Sequence, residues 1–227
     1  STFTHTWSIR SSRTPTLTLS YSRSMYLAQR IMDDIIDLEL EKIERIMSKI
    51  DADPESEDVK HTERVLWQKI YKKSAQGRRT GVGITAEGDM LAALGLRYGT
   101  EEATEFSEQV HKTVALNAYR SSIEMAKERG AFEVYDTERE KNNPFINRLR
   151  EADPEMYEEM KKYGRRNIAC LTIAPTGTTS LMTQTTSGIE ARIPARVQAP
   201  PQSESQTIRT SMWTSSTKPE MPLKNIS

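Results

Sequence analysis

Apolar side chains recur at every third or fourth position through the middle of the chain, which is the period of an amphipathic helix. The longest series predicts a helix that includes residues 28–49 and continues to Ile50, with Ile36, Leu40, Ile43, Met47 and Ile50 on its apolar face. The segment Asp51-Ala-Asp-Pro54 should end this helix, because proline cannot continue a helix and disfavours helical backbone at the residue before it.

Four further helices are predicted from the same period and from their end signals. The first spans residues 57–74, and its inward side chains are Val59, Val65, Leu66 and Ile70. The next begins at Thr100 before two glutamates, which suit the positive end of the helix dipole, and ends at Arg129 before Gly130. Two short helices, over 144–151 and 154–163, carry a proline in the first turn, where a missing N–H costs nothing.

A different pattern begins at Ile168, where a mostly apolar run is followed by a turn containing Pro175 and Gly177. We predict a buried strand over residues 168–173 and then a short helix. Unpaired N–H groups at a helix start attract anions, as does the helix dipole. Four hydroxyl groups stand beside those N–H groups, on Thr176, Thr178, Thr179 and Ser180. The pattern therefore indicates a phosphate-binding turn.

The alternative is an ordinary capped helix, because serine and threonine are common at helix starts for that reason alone. The turn is not a Walker loop, and no acidic residue stands about 20 positions further on, as it would in a dinucleotide-binding fingerprint. The segment Gly81-Val-Gly83 lacks the third glycine of that fingerprint and predicts a tight turn. Two other function classes stay open: an enzyme that binds another phosphorylated substrate, and a non-catalytic helical interaction module.

Two stretches of the chain, here called the echo segments, begin with the same three residues and continue with the same order of features. The segments Gly77-Arg-Arg79 and Gly164-Arg-Arg166 each precede an apolar run and a turn into a helix, with helices between them. Two strand-to-helix units of a parallel barrel have this order. Arg165 and Arg166 could approach a bound phosphate, although charges at a strand start are usually solvated.

The sequence from Arg165 to Glu190 resembles the substrate-phosphate loop of the catalytic subunit of ribonucleotide reductases, nearest to the adenosylcobalamin-dependent class. Residues 28–49, 77–90 and 130–136 are similar to segments of that family in the same order. The resemblance implies an α/β fold, with this chain as a helix-rich fragment of the family's ten-stranded α/β barrel. Because a fragment cannot close a barrel, its edges and some apolar faces should be uncovered.

The same resemblance implies a function for the parent enzyme. Such an enzyme would reduce ribonucleotides to 2′-deoxyribonucleotides through a cysteine thiyl radical, with adenosylcobalamin as cofactor and an external dithiol as reductant. A homodimeric parent enzyme is compatible with it. The substrate phosphate would bind at residues 174–180, here called the phosphate loop, which consists of Ala174, Pro175, Thr176, Gly177, Thr178, Thr179 and Ser180.

The catalytic cysteines of that family have no counterpart in this chain. The Asn-x-Cys-x-Glu segment that carries the radical cysteine does not occur, and the single cysteine, Cys170, matches a core position of the predicted strand. We therefore assign no catalytic residue and expect the chain to be inactive alone. No metal site is predicted either, because His5, His61 and His111 stand far apart without companions at ligand spacing.

Composition divides the chain into three parts. All 32 acidic residues lie at or after Asp33, and only Glu204 and Glu220 lie beyond residue 190. In a neighbouring reading frame the unique codons of Met212 and Trp213 give valine and then aspartate, and synonymous choices elsewhere turn the tail into an ordinary acidic sequence. We therefore hypothesise that residues 1–26 and 191–227 are frameshift products, or disordered segments, and that residues 27–190 belong to the reductase barrel.

Charge and hydropathy change this picture little. The 32 basic and 32 acidic residues cancel, so no nucleic-acid or membrane surface is predicted. There is no run of 18 apolar residues and no apolar signal core at the start, and a single cysteine suits a reducing compartment. These features predict a cytoplasmic protein.

Overall fold

The computed structural model describes the backbone of residues 2–191 and the side chains of residues 21–191. In this part of the chain the structure is helix-rich. Its helices are α1 (Thr2–Ala52), α2 (Glu57–Gly77), α3 (Glu87–Ala93), α4 (Glu101–Arg129), α5 (Thr137–Glu140), α6 (Pro144–Ala152), α7 (Pro154–Tyr163) and α8 (Gly177–Thr183).

Helix α1 packs against both α2 and α4. Its predicted apolar face is confirmed, because Ile36, Ile43 and Ile50 are buried and the two residues between them are half-buried. The helix ends at Ala52, before Pro54, as expected. It begins at Thr2, well before the predicted start at residue 28. The frameshift hypothesis for residues 1–26 concerns the gene and stays a prediction, and residues 192–227 lie outside the described residues.

Apolar faces are left uncovered on both long N-terminal helices. On α1 the exposed stripe consists of Leu27, Ile31, Ile35 and Leu38, which lie on the side opposite the buried face. On α2 the predicted inward positions are half wrong, because Val59 and Leu66 are exposed while Val65 and Ile70 are half-buried. Since α2 packs mainly against α1, only a narrow face of it is covered. Uncovered apolar faces agree with the expectation for part of a barrel.

The main core forms around α4, which packs against α7 and the residues that follow it. The ends of α4, α6 and α7 lie close to their predicted positions because polar side chains cap them. The Thr100 hydroxyl accepts from the Ala103 N–H, and the Asp153 carboxylate accepts from the Met156 N–H. Asn143 caps α6 in the same manner. Caps of this kind satisfy N–H groups that have no acceptor within the helix.

The predicted strands do not form as regular strands in the described part of the chain. Within residues 2–191 no regular strand forms, and one parallel bridge joins Val82 to Leu171. The Val82 N–H donates to the Cys170 carbonyl at 2.8 Å, and the Thr172 N–H donates back to the Val82 carbonyl at 3.0 Å. The buried strand predicted over 168–173 is not observed, because only Leu171 takes part in the bridge, only Cys170 is buried, and Ile173 is 45% exposed. The α/β assignment is therefore met only in its helices.

The segment Gly81-Val-Gly83 forms part of this parallel pairing, so the tight turn predicted there is wrong. The glycines serve close contact between two backbones. A Cβ atom added at Gly83 would lie 1.8 Å from the Thr172 carbonyl oxygen, and one at Gly81 would lie 2.7 Å from the Thr172 methyl group. Only glycine allows the two segments to approach this closely.

Candidate functional site: the phosphate loop and its supports

The phosphate loop leads directly into α8 and is open to solvent. Five of its seven residues are exposed, whereas Thr176 is half-buried and Ser180 is buried. The exposed ones are Ala174, Pro175, Gly177, Thr178 and Thr179. The start of α8 is therefore exposed to solvent.

The first N–H groups of α8 have no acceptor among the described residues. The Ser180 N–H donates to the Thr176 carbonyl at 3.1 Å, which is the first bond of the helix. The N–H groups of residues 177–179 precede it, and the side chain of Thr176 does not cap them. The side chain of Thr176 thus does not act as the helix cap that the capping alternative would require there. Unpaired N–H groups at a helix start are the donors that an anion can use.

The four hydroxyl groups of the loop divide into two kinds. Those of Thr178 and Thr179 are exposed and have no partner among the described residues. The Thr176 hydroxyl donates to the Ser187 carbonyl at 2.5 Å, and the Ser180 hydroxyl donates to the Gly177 carbonyl at 3.0 Å. Since a hydroxyl has one proton to donate, Thr176 and Ser180 stabilise the loop and only the other two are free to donate to a ligand.

Arg165 is engaged away from the loop, and its predicted solvation is wrong. Its side chain is 2% exposed and forms a salt bridge with Glu140. It also donates to the carbonyls of Asn167 and Ile168, both at 3.1 Å. Three aromatic rings surround the guanidinium, those of Tyr119, Phe132 and Tyr135. Arg165 therefore fixes the start of the segment that leads to the loop.

Arg166 belongs to a buried polar cluster centred on Asp33, which is fully buried. Asp33 accepts from Arg78 at 2.8 Å and from Asn167 at 2.8 Å, and it lies 3.4 Å from Arg166 and 3.3 Å from Arg129. Burial would raise the pKa of Asp33, but the hydrogen bond and charge of Arg78, together with Asn167 and Arg166, outweigh burial and hold the pKa below its usual value.

Asn167 connects both echo segments to α1 and α4. Its amide donates to Asp33 and to the Arg78 carbonyl, while its oxygen accepts from Gln29 on α1 and Ser122 on α4. Sequence reasoning missed this cluster, because Asp33 lies 134 positions from Asn167 and no local pattern relates them. The charged start of each echo segment was the one available signal.

The same cluster contains three neighbouring carboxylates that resemble a cation site. One oxygen from each of Asp33, Asp34 and Asp37 lies within 4.8 Å of the others. Arginines already bond them, with Arg78 on Asp33 and Asp37 and Arg129 on Asp33 and Asp34. These guanidinium groups compensate the negative charge of the three carboxylates, so the carboxylates bind arginine side chains of the same chain.

Cys170 lies in the main core and is 1% exposed, which confirms the predicted buried position. Burial raises the pKa of its thiol to about 12, despite the nearby positive charge of Arg165. A thiol that is neutral and covered has neither the thiolate nor the access that reactive cysteines need. Of the histidines, His61 is exposed, His111 lies 2.8 Å from the Glu87 carboxylate, and the side chain of His5 lies outside the described residues.

A sequence model of the ribonucleotide reductase barrel domain matches residues 10–206 of this chain. The chain belongs to the ribonucleotide reductase family. The match includes the phosphate loop, both echo segments and all of the described polar cluster. The matched range also begins before residue 26 and ends after residue 190. The hypothesis of frameshifted ends stays a prediction.

Curated relatives of this chain are named ribonucleoside-diphosphate reductases. It is 28% identical over 168 residues to the vitamin B12-dependent ribonucleoside-diphosphate reductase of Mycobacterium tuberculosis, covering 74% of this chain and 21% of the relative. The corresponding enzyme of Thermoplasma acidophilum is 31% identical over 135 residues, or 59% of this chain and 15% of that enzyme. The ribonucleoside-diphosphate reductase subunit alpha of Chlamydia pneumoniae is 27% identical over 183 residues, or 72% and 15%.

This reductase chain thus spans about a fifth or less of the length of the relatives it matches. The family is one of oxidoreductases, as the names of these relatives state. None of the helices in the described part of the chain is long and apolar enough to cross a membrane.

Proposed function

We propose that this chain supplies the substrate-phosphate loop of a ribonucleotide reductase catalytic subunit. The observation that carries the proposal is the family match across a loop whose N–H groups at residues 177–179, and whose hydroxyls on Thr178 and Thr179, have no partner among the described residues. Membership of the family favours a ribonucleotide as the substrate of the parent enzyme. A phosphate on that loop would accept hydrogen bonds from these N–H and hydroxyl groups.

The role of the loop is to bind and orient. A phosphate lies away from the carbon that is reduced, so its binding energy fixes the ribose in position without contributing to the bond changes. Arg165 and Arg166 do not serve this task, because they are engaged with Glu140 and Asp33. Backbone N–H groups, two hydroxyls and the dipole of α8 carry the interaction. Gly177 leaves room for a close approach of the ligand.

The radical chemistry belongs to other parts of the parent enzyme. The names of two relatives favour adenosylcobalamin, which would supply the radical when bound, and an external dithiol would restore the reduced cysteines. Residues of this chain do not fit a thiol partner for that cofactor, because Cys170 is buried in the core. We expect the 227-residue chain, given adenosylcobalamin and a dithiol, to form no deoxyribonucleotide.

The barrel assignment is supported by the parallel bridge between the two echo segments. Neighbouring strands of a parallel barrel would pair as Val82 and Leu171 do. The uncovered stripes on α1 and α2 are the faces that the rest of a barrel subunit would cover. The rival interaction module is favoured by those stripes as well, but it gives no role to the open turn at residues 177–179.

A pair of substitutions tests the loop in the full-length gene product. Thr178→Val with Thr179→Val keeps the shape of both side chains and removes both hydroxyl donors. A hydrogen bond to a charged group contributes about 1.5–3 kcal/mol, so losing one such bond should weaken CDP binding by about 10- to 150-fold, and losing both should weaken it further. The affinity for cytidine, which has no phosphate, should stay unchanged. Equilibrium dialysis measures both.

The matched control is Thr62→Val with Thr104→Val. Both are exposed helical threonines whose hydroxyls bond the carbonyl four residues earlier, so the double variant removes two hydroxyls without touching the loop. It should bind CDP as the wild type does. If the loop variant also binds CDP with wild-type affinity, the phosphate-loop proposal is wrong and a helical interaction module becomes the better explanation.

A further inference from the structure

A second segment of the chain holds the far side of the phosphate loop. This return segment, residues 185–190, lies against residues 85–89 at the start of α3. The Ala86 N–H donates to the Thr186 carbonyl at 3.2 Å, and the Glu87 N–H donates to the Gly188 carbonyl at 3.1 Å. Two backbone hydrogen bonds therefore attach the return segment to the first echo segment.

Two side chains complete this attachment. The Asp89 carboxylate accepts from the Thr186 N–H at 2.8 Å, and the Thr85 hydroxyl donates to the Thr186 carbonyl at 2.9 Å. Thr186 is thus held on both its N–H and its carbonyl by residues 97 and 101 positions away. Its neighbour Ser187 is fixed in consequence.

The fixed residue then sets the start of the phosphate loop. The Ser187 carbonyl accepts from both the N–H and the hydroxyl of Thr176, at 3.2 and 2.5 Å. The hydroxyls of Thr85 and Thr176 also lie 2.9 Å apart. Thr176 is the residue before the open turn, so its position determines where the N–H groups of residues 177–179 point.

Close packing explains why the return segment can reach α3. A Cβ atom at Gly88 would lie 2.2 Å from the Glu190 carbonyl oxygen and 2.8 Å from the Cα of Ala191. A glycine is therefore needed at this position for the end of the return segment to lie on the helix.

We propose that Thr85 and Asp89 are positioning residues for the phosphate loop, which act through Thr186 and Ser187 on Thr176 and so orient the N–H groups that receive the substrate phosphate. The inference rests on the proposed function and deepens it. Neither side chain touches the ligand in this arrangement. Each holds the loop in its binding geometry before the ligand arrives, and such preorganisation lowers the cost of binding.

The test uses two pairs of variants in the full-length gene product. Asp89→Ala removes the acceptor for the Thr186 N–H, whereas Asp89→Asn retains an oxygen that can accept. Thr85→Val removes the hydroxyl, whereas Thr85→Ser retains it. We expect Asp89→Ala and Thr85→Val each to weaken CDP binding by about tenfold while cytidine binding changes little, because a misplaced loop affects only the phosphate. Asp89→Asn and Thr85→Ser should recover most of the CDP affinity.

A structural control separates positioning from a general loss of stability. Ser121→Ala removes a buried hydroxyl on α4 that bonds the Tyr26 carbonyl at 2.8 Å, away from the loop. It should leave the ratio of CDP affinity to cytidine affinity unchanged. The inference is overturned if Asp89→Ala and Thr85→Val keep that ratio, or if Ser121→Ala changes it as much as they do.

The two proposals fail separately. Loss of CDP affinity in the Thr178 and Thr179 variant with no effect of the Asp89 and Thr85 variants would retain the phosphate loop and refute the positioning role. Wild-type CDP affinity in the Thr178 and Thr179 variant would refute the phosphate loop itself. Should Asp89→Ala fail to fold, the comparison of Thr85→Val with Thr85→Ser decides the positioning role.

Discussion

The Asp33 cluster predicts a large and specific loss of stability when its one buried carboxylate loses its charge. Asp33→Asn keeps the size of the side chain and an oxygen that can accept one bond. It removes the charge that faces Arg78, Arg129 and Arg166, and it turns an N–H₂ group towards guanidinium donors. Breaking a buried ion pair costs about 3–5 kcal/mol. We expect about 3 kcal/mol, at the low end, because Arg78 retains Asp37 and because Arg129 and Arg166 are partly exposed.

Urea unfolding of the 227-residue chain, followed by far-ultraviolet circular dichroism, measures this loss as a shift in the midpoint at constant slope. Asp34→Asn is the matched control, because it removes a neighbouring carboxylate whose side chain is 56% exposed and which pairs with Arg129. An exposed pair contributes about 0–1 kcal/mol. Equal effects of the two substitutions would refute the buried-charge argument.

The same variant also tests how the contribution of Asp33 to the free energy of unfolding changes with pH. The pKa of Asp33 in the folded chain lies below its usual value of 3.8, so its contribution to stability is fully present above that value. As the pH falls below about 4 and through the folded pKa, the carboxylate takes up a proton and the contribution is lost. The difference in unfolding free energy between wild type and Asp33→Asn should therefore be constant near neutral pH and shrink below pH ~4. A difference that grows on acidification would contradict it.

Three further outcomes are expected. Ala86→Gly should raise the free energy of unfolding, measured in urea, by about 0.5–1 kcal/mol, because Ala86 has a φ of 65°, where a side chain is strained. An unchanged free energy of unfolding would contradict backbone strain at Ala86. Cys170 should resist a thiol reagent at pH 8 in the folded chain, because a pKa of about 12 leaves a thiolate fraction on the order of 10⁻⁴. It should react fully in guanidinium chloride. Fast labelling of the folded chain would refute the burial of this thiol. Gly177→Ala should not lower the free energy of unfolding measured in urea, because an added methyl group meets no atom within 4 Å. The same substitution should weaken CDP binding in the full-length gene product, and unchanged binding would argue against close approach of the phosphate to this residue.

The parts of this fold that sequence predicts well are those set by local physics. Helix period and end chemistry give α4, α6 and α7 nearly to the residue, because Thr100, Asn143 and Asp153 cap N–H groups only two or three positions away. The same reasoning fails for α2, where Val59 and Leu66 fit the helical period but face solvent. A period tells which side chains share a face, and only the neighbouring elements decide whether that face is covered.

Charged residues show the complementary failure. Arg165 carries the same local signal as a solvated flanking charge, yet the fold encloses it between Glu140 and three aromatic rings. Ala86 likewise stands in left-handed backbone without any sequence mark of a turn. These positions are set by partners far along the chain, which a single sequence does not reveal.

The phosphate loop combines both situations, because its proposed binding groups are set by local order whereas its geometry is not. Thr178 and Thr179 stand at a helix start next to Gly177, so the binding role proposed for them rests on local order alone. Thr176 was expected to bind with them, but its hydroxyl serves the Ser187 carbonyl, which Thr85 and Asp89 hold in place from about 100 positions away. A loop that must present N–H groups to a ligand cannot also use them for its own stability. Its support therefore has to come from another part of the fold, and in this chain it comes from residues 85–89, which follow the first echo segment.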